Sequence, residues 1–219
     1  MSRFYKDNFD FIFLAIAFAD LLCVATLPEG RIVTKPLIMI ALVGYYYLTS
    51  RNIDWLFFTA LIFAFLGDVL LLFDGFFLFG LGAFLVMQVV YAICFFKQIG
   101  SITISRLIGV ASIGFLTTLT LLKLLPSLDQ EMKIPVIIYS SAIGLMAISA
   151  MIRENRNGEY WLILLGVISF LISDSILGWN KFAGDLPYAG LLIMATYMLA
   201  QYLIVKGYLK HTIGNNTAN

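Results

Sequence analysis

Two aspartates stand where a carboxylate is least at home. Asp68 lies in the run Phe65-Leu66-Gly67-Asp68-Val69-Leu70-Leu71, and Asp174 lies in Ile172-Ser173-Asp174-Ser175-Ile176-Leu177-Gly178-Trp179-Asn180. Both runs sit inside long apolar stretches. An ionisable group there costs about 2.5–3.5 kcal/mol on insertion scales, which makes it a functional candidate by default. If the two carboxylates share a cavity they cannot both ionise easily, and a neutral acid beside a charged base is the pattern of acid–base chemistry. The bland alternative is that each aspartate only hydrogen-bonds a neighbouring helix.

Other polar residues recur at spacings that fit a pocket between helices. Ser173 and Ser175 flank Asp174, and Asn180 can line the mouth of a cavity. Gln88 and Tyr91 share one helical face, as do Tyr197 and Gln201. Tyr139 and Ser140 come early in a further apolar run. Singly, each is more often helix–helix glue or an interfacial aromatic. Lys35, beside Pro36, can bind a phosphate as a point charge or serve as a snorkelling lysine. Asp20 is a third acid in an apolar run, and the sequence offers it no partner.

Several chemistries find no residues to carry them. Cys23 and Cys94 both fall in apolar runs, and the single histidine, His211, lies in the polar tail, so no metal site and no disulfide framework is expected. No GxSxG, HExxH, P-loop or dinucleotide fingerprint occurs. No cofactor is expected. The net charge of +1 gives no field for nucleic acid.

The elements that must position these groups are transmembrane helices. Of the 219 residues, 61% are hydrophobic and 12% charged, against about 25% charged in a soluble domain. Mean hydropathy is +0.95. The pattern lacks the period-2 alternation of a barrel, so the reading is an all-α, polytopic helix bundle of about eight spans. The spans run at about 11–27, 35–49, 54–73, 77–97, 105–125, 135–152, 160–179 and 187–206, within a single transmembrane domain, 1–219. The first run reads as a retained span, not a signal peptide. Turn residues punctuate the runs at Pro28-Glu29-Gly30, Asp74-Gly75, Pro126-Ser127, Asn155 to Gly158 and Gly184-Asp185.

An even number of spans puts both termini on one side. That side collects Arg3, Lys6, Arg51, Lys97, Arg106, Arg153, Arg156, Lys206 and Lys210, against Arg31, Lys35, Lys123, Lys133 and Lys181 on the other. The excess favours cytoplasmic termini in a plasma (inner) membrane. A weak internal repeat relates spans one to four to spans five to eight. Asp68 and Asp174 are each followed eight residues later by Phe76 and Phe182, and Lys35-Pro36 matches Lys133-Ile134-Pro135. Such halves would be parallel repeats. Both aspartates are expected about five or six residues from their helix ends, ~8–9 Å below one interface.

These residues resemble the YhhN-like family. The likeness rests on Lys35-Pro36-Leu37, Gly67-Asp68-Val69-Leu70-Leu71, Gly80-Leu81-Gly82-Ala83-Phe84, Pro135 with Tyr139, and Ser173-Asp174-Ser175-Ile176-Leu177 with Asn180. It spans nearly the whole chain; Gly178 stands where the family more often has alanine. The family includes lysoplasmalogenases, membrane enzymes that hydrolyse the vinyl ether of lysoplasmalogens to a fatty aldehyde and a glycerophosphoethanolamine or glycerophosphocholine. The resemblance implies Asp68 and Asp174 as catalytic residues and a lysophospholipid substrate among membrane lipids.

Vinyl ether hydrolysis needs one protonated carboxyl to deliver a proton to carbon and a second, charged carboxylate beside the oxocarbenium ion, much as in glycoside hydrolysis. The apolar neighbours Gly67 and Val69 suggest Asp68 as the acid, and the flanking serines suggest Asp174 as the charged partner. Lys35, Tyr91, Tyr139, Ser173, Asn180, Tyr197 and Gln201 are the candidate substrate-binding residues. A proton-coupled transporter of a small or lipid solute is the alternative, because intramembrane acids and parallel repeats suit that class too.

Overall fold

The computed structural model describes residues 2–154 and 158–215, and in it every apolar run is a helix. A short helix, α1 (Ser2–Asp7), is followed by α2 (Phe9–Thr26), α3 (Arg31–Thr49), α4 (Trp55–Leu70) and α5 (Phe77–Phe96). Then come α6 (Ile104–Leu124), α7 (Gln130–Met151), α8 (Tyr160–Phe182) and α9 (Ala189–Asn215). Caps mark some starts. The Asp54 carboxylate accepts the Leu56 and Phe57 N–H groups at 2.9 and 3.4 Å, and the Thr103 hydroxyl accepts that of Arg106 at 3.4 Å. This satisfies donors that a helix start otherwise leaves bare. The turn after α4 uses Gly75 at φ +85°, a left-handed conformation that suits glycine. The expected turn at Asn155 to Gly158 lies, apart from Gly158, outside the described residues, as does Arg156.

Among the described residues, seven helices are long and apolar enough to cross a membrane. The expected third span is shorter than the sequence suggests. Helix α4 has 16 residues, or about 24 Å against a ~30 Å hydrocarbon core, because residues 71–76 leave the helix for a turn. The expected second and sixth spans are longer, since Pro36 and Pro135 do not open their helices. Each is the sixth residue, counting from Arg31 and from Gln130. Proline inside a membrane helix is tolerated where neighbouring groups satisfy the freed backbone. The short α1 was not foreseen.

The packing has the symmetry of two four-helix halves, α2–α5 and α6–α9. Within each half the third and fourth helices pack closely, α4 on α5 and α8 on α9. Across the halves, α5 packs on α7 and α9 packs on α3. The fourth helix of each half thus lies against the second helix of the other. Small residues allow the close approaches. A Cβ on Gly67 would stand 2.7 Å from the Phe84 ring, and one on Gly166 would stand 2.9 Å from the Ala200 carbonyl oxygen. At the end of the bundle near the termini, Asp10 of α2 pairs with Lys206 of α9 at 2.6 Å and accepts the Tyr202 hydroxyl at 2.9 Å. Helix α6 is peripheral, with only Ile113 and Leu124 buried.

Candidate active site

The two aspartates hold corresponding places in the two halves. Asp68 is on α4 and Asp174 on α8, the third helix of each half. Each is bound by a side chain from the second helix of its own half and by one from the fourth helix of the other. Asp68 meets Lys35 of α3 at 3.7 Å and accepts the Tyr197 hydroxyl of α9 at 2.7 Å. Asp174 accepts the Tyr139 hydroxyl of α7 in a short hydrogen bond and the Gln88 amide of α5 at 3.4 Å. The geometry of the partners therefore repeats, while their chemistry does not.

That difference sets the electrostatics. Asp68 is fully buried beside an ammonium that is itself buried, so the pair is an internal salt bridge. Asp20 completes this cluster. It is buried and accepts the Thr34 hydroxyl at 2.7 Å, its charge acts on both Lys35 and Asp68, and its Oδ2 has no hydrogen-bond partner. Asp174 has only neutral donors, and both converge on Oδ2. Its Oδ1 takes no hydrogen bond among the described residues. An environment of neutral dipoles suits a carboxylic acid as well as a carboxylate.

Asp174 is half-buried and lines a cavity of about 60 Å³ between α5, α6, α7 and α8. That is room for water, whose share of liquid volume is about 30 Å³. The polar lining is Asp174, Tyr139, Ser140, Ser175, Thr117 and Thr120; the rest, including Phe77, Leu81, Val136 and Phe182, is apolar. Two further hollows adjoin it. One, of about 320 Å³, shares Thr120 and Ser175 with the cavity and carries Lys123 and Trp179. The other, of about 230 Å³, shares Thr117 and Ser140 and runs past Gly114, Gly144 and Ile148.

Several expectations need correction. Asp68 is not among the residues lining this cavity. The aspartates are not equally far from their helix ends, since Asp68 precedes Leu70 by two residues and Asp174 precedes Phe182 by eight. The early end of α4 causes the difference. Ser173 does not face Asp174; its hydroxyl donates to the Ile193 carbonyl at 2.9 Å and ties α8 to α9. Ser175 donates to its own helix at Leu171, and Asn180 accepts the Leu186 N–H at 2.9 Å, capping the loop before α9. Lys35 is occupied with Asp68 rather than free at the interface. Tyr91 and Gln201 find each other, hydroxyl to amide oxygen at 2.9 Å, in the buried seam between α5 and α9.

Tyr197 lies between the two centres. It donates to Asp68, and its ring stands 5.9 Å from Phe84 and 6.0 Å from Phe170. Gln88 and Thr34 are partners that the candidate set lacked. Gln88 had only its helical face to recommend it, and Thr34 only its place beside Lys35. Among the described residues no cluster of His, Cys, Asp and Glu could hold a metal ion.

The model of the YhhN family matches residues 30–208, which include both aspartates and every partner named above except Asp20. Curated relatives include the lysoplasmalogenase TMEM86B of Rattus norvegicus, 27% identical over 179 residues, covering 80% of this chain and 71% of the relative. The Homo sapiens lysoplasmalogenase TMEM86B is 28% identical over 85% of this chain and 81% of its own length. The Homo sapiens lysoplasmalogenase TMEM86A is 32% identical over 154 residues, 67% of this chain and 62% of that relative. No solved structure matches the chain.

Proposed function

This chain belongs to the YhhN family, and from that premise we propose that it is a membrane hydrolase that opens the vinyl ether of lysoplasmalogens. The products are a fatty aldehyde and the glycerophospho-headgroup compound. The observation that carries the reading is Asp174, a carboxyl held by neutral donors at the wall of a cavity between apolar helices. The names of the similar proteins give the substrate class.

The roles follow from the partners and reverse the assignment that flanking residues suggested. Asp174 is the general acid. Its carboxyl proton goes to the alkene carbon beyond the ether carbon, leaving an oxocarbenium ion. Water adds to that ion and gives its proton to the Asp174 carboxylate. The hemiacetal then collapses: its hydroxyl proton leaves, the ether oxygen takes a proton, and the carbon–oxygen bond breaks to give aldehyde and alcohol. One water is consumed and the acid is restored. Asp68, ion-paired with Lys35, is the charged partner that stabilises the cationic intermediate through the field it shares with Tyr197. The cavity lies toward the end of the bundle away from the termini, beside Phe77, Leu124 and Phe182, so cytoplasmic termini would set it toward the opposite face of the plasma (inner) membrane.

The test is a product assay. Purified protein given lysoplasmenylethanolamine in D₂O releases aldehyde carrying one deuterium on the carbon next to the carbonyl, read by mass spectrometry. Asp174→Asn loses about 10²–10⁴-fold in kcat, the usual contribution of a general acid. Full activity in that variant removes Asp174 from the chemistry. Flux of intact lysolipid into liposomes with no aldehyde formed would instead favour the proton-coupled transporter.

A further inference from the structure

Lys123 is an unclaimed cation close to this chemistry. It sits in the last turn of α6 and is exposed, and its ammonium has no hydrogen bond or ion pair among the described residues. A lysine in that position complements the helix dipole, but its surroundings say more. It lines the hollow that shares Thr120 and Ser175 with the Asp174 cavity. Of the other basic residues at this end, Lys35 is paired with Asp68 and Lys181 stands over the Phe77 ring at 5.1 Å, and neither these nor Arg31 and Lys133 line the three hollows.

The hollows wind along α6. Lys123, Thr120, Thr117 and Gly114 recur every three residues and line the head hollow, the cavity and the far groove in that order. Three steps of three residues cover about 13.5 Å along a helix. Charge lies at one end only: Lys123 serves the head hollow, whereas the far groove is lined by hydroxyls, Gly114, Gly144 and apolar side chains, with no charged side chain.

We propose that Lys123 binds the phosphate of a lysophospholipid. The headgroup then rests between the ends of α6 and α8, the ether reaches Asp174 and Tyr139, and the chain runs along α6 past Thr117 toward Gly144. The proposal rests on the lysolipid reading above and deepens it, because it fixes the direction in which the substrate lies. It also replaces Lys35 as the phosphate contact.

Two substrates separate the outcomes. One is 1-alkenyl-glycerophosphoethanolamine; the other is 1-alkenylglycerol, which has the same vinyl ether and no phosphate. Lys123→Ala should raise KM for the first by about tenfold or more, the worth of one charged hydrogen-bonded contact, with a much smaller effect on the second. Lys123→Arg should keep most of the affinity, and Lys123→Glu should lose more than alanine does. Equal effects of Lys123→Ala on both substrates, or an unchanged KM for the first, overturn the proposal. Binding of non-cleavable 1-alkyl-glycerophosphoethanolamine, followed by tryptophan fluorescence, keeps the two readings apart. If no vinyl ether is cleaved but Lys123→Ala still weakens this binding, the hydrolase reading fails and the phosphate site stands. If cleavage is normal and binding is unaffected, the phosphate site fails alone.

Discussion

At the scale of single residues, the same carboxyl group is set to different tasks by what donates to it. Asp68 faces an ammonium and a phenol, whereas Asp174 faces a phenol and an amide. The flanking residues misled the sequence reading because neighbours along a helix point to different faces, so neither Ser173 nor Ser175 reaches Asp174. The partners come from other helices, 35 and 86 residues away for Tyr139 and Gln88, where no local pattern reports them. Tyr139→Phe should lower kcat about tenfold or more, since a hydrogen bond to a charged group is worth about 1.5–3 kcal/mol. Unchanged kcat in that variant would show that Asp174 does not depend on its short bond. Asp68 and Lys35 behave as a buried pair. Removing one partner strands a charge, so Lys35→Met should destabilise the protein by about 3–5 kcal/mol. The double variant Lys35→Met with Asp68→Leu should recover most of that stability without recovering activity. Thermal unfolding midpoints in detergent beside aldehyde release check both halves of this statement.

At the scale of elements, the sequence located the eight apolar helices α2–α9 because apolar run length is a strong signal, and it misplaced several ends because end signals are weak. Pro36 and Pro135 look like helix starts, yet each is tolerated one turn and a half inside. Residues 71–73 are as apolar as the helix before them, yet they form a turn, so composition alone could not show that α4 ends just past Asp68. That ending matters, because it delivers Asp68 to Lys35 near the start of α3. The contact of α4 with α5 is equally specific. A Cβ on Gly67 would press on the Phe84 ring, which is already held against Phe170 and Tyr197 at centroid distances of 6.2 and 5.9 Å. Gly67→Ala should therefore cost about 1–3 kcal/mol, as overpacking does, and should impair catalysis by displacing Tyr197 from Asp68. Gly82→Ala and Gly114→Ala, whose added Cβ would meet nothing within 4 Å, serve as controls with near wild-type melting. Equal melting of all three variants would show that Phe84 has room to move.

At the scale of the whole molecule, the weak sequence repeat corresponds to a packing symmetry. Helix α5 lies on α7 as α9 lies on α3, and each aspartate takes one partner from the opposite half. The repeat was faint in sequence because the contacts it serves have diverged, a lysine standing on one side where a tyrosine stands on the other. Neither half is chemically complete. Residues 1–101 alone would bury Asp68 without Tyr197, and residues 102–219 alone would bury Asp174 without Gln88; a buried polar group without its partner is costly. We therefore expect the chain to act as a single folding unit. Cutting it between Ser101 and Ile102, both exposed in the loop between α5 and α6, tests this. Each fragment expressed alone should lack a cooperative thermal transition in detergent. The two co-expressed should copurify and regain aldehyde release, because the surface they bury carries the α5–α7 and α3–α9 contacts together with both aspartate networks. A fragment that melts cooperatively on its own would instead mean that one half folds without the other, and that the crossed hydrogen bonds tune the site rather than hold the bundle together.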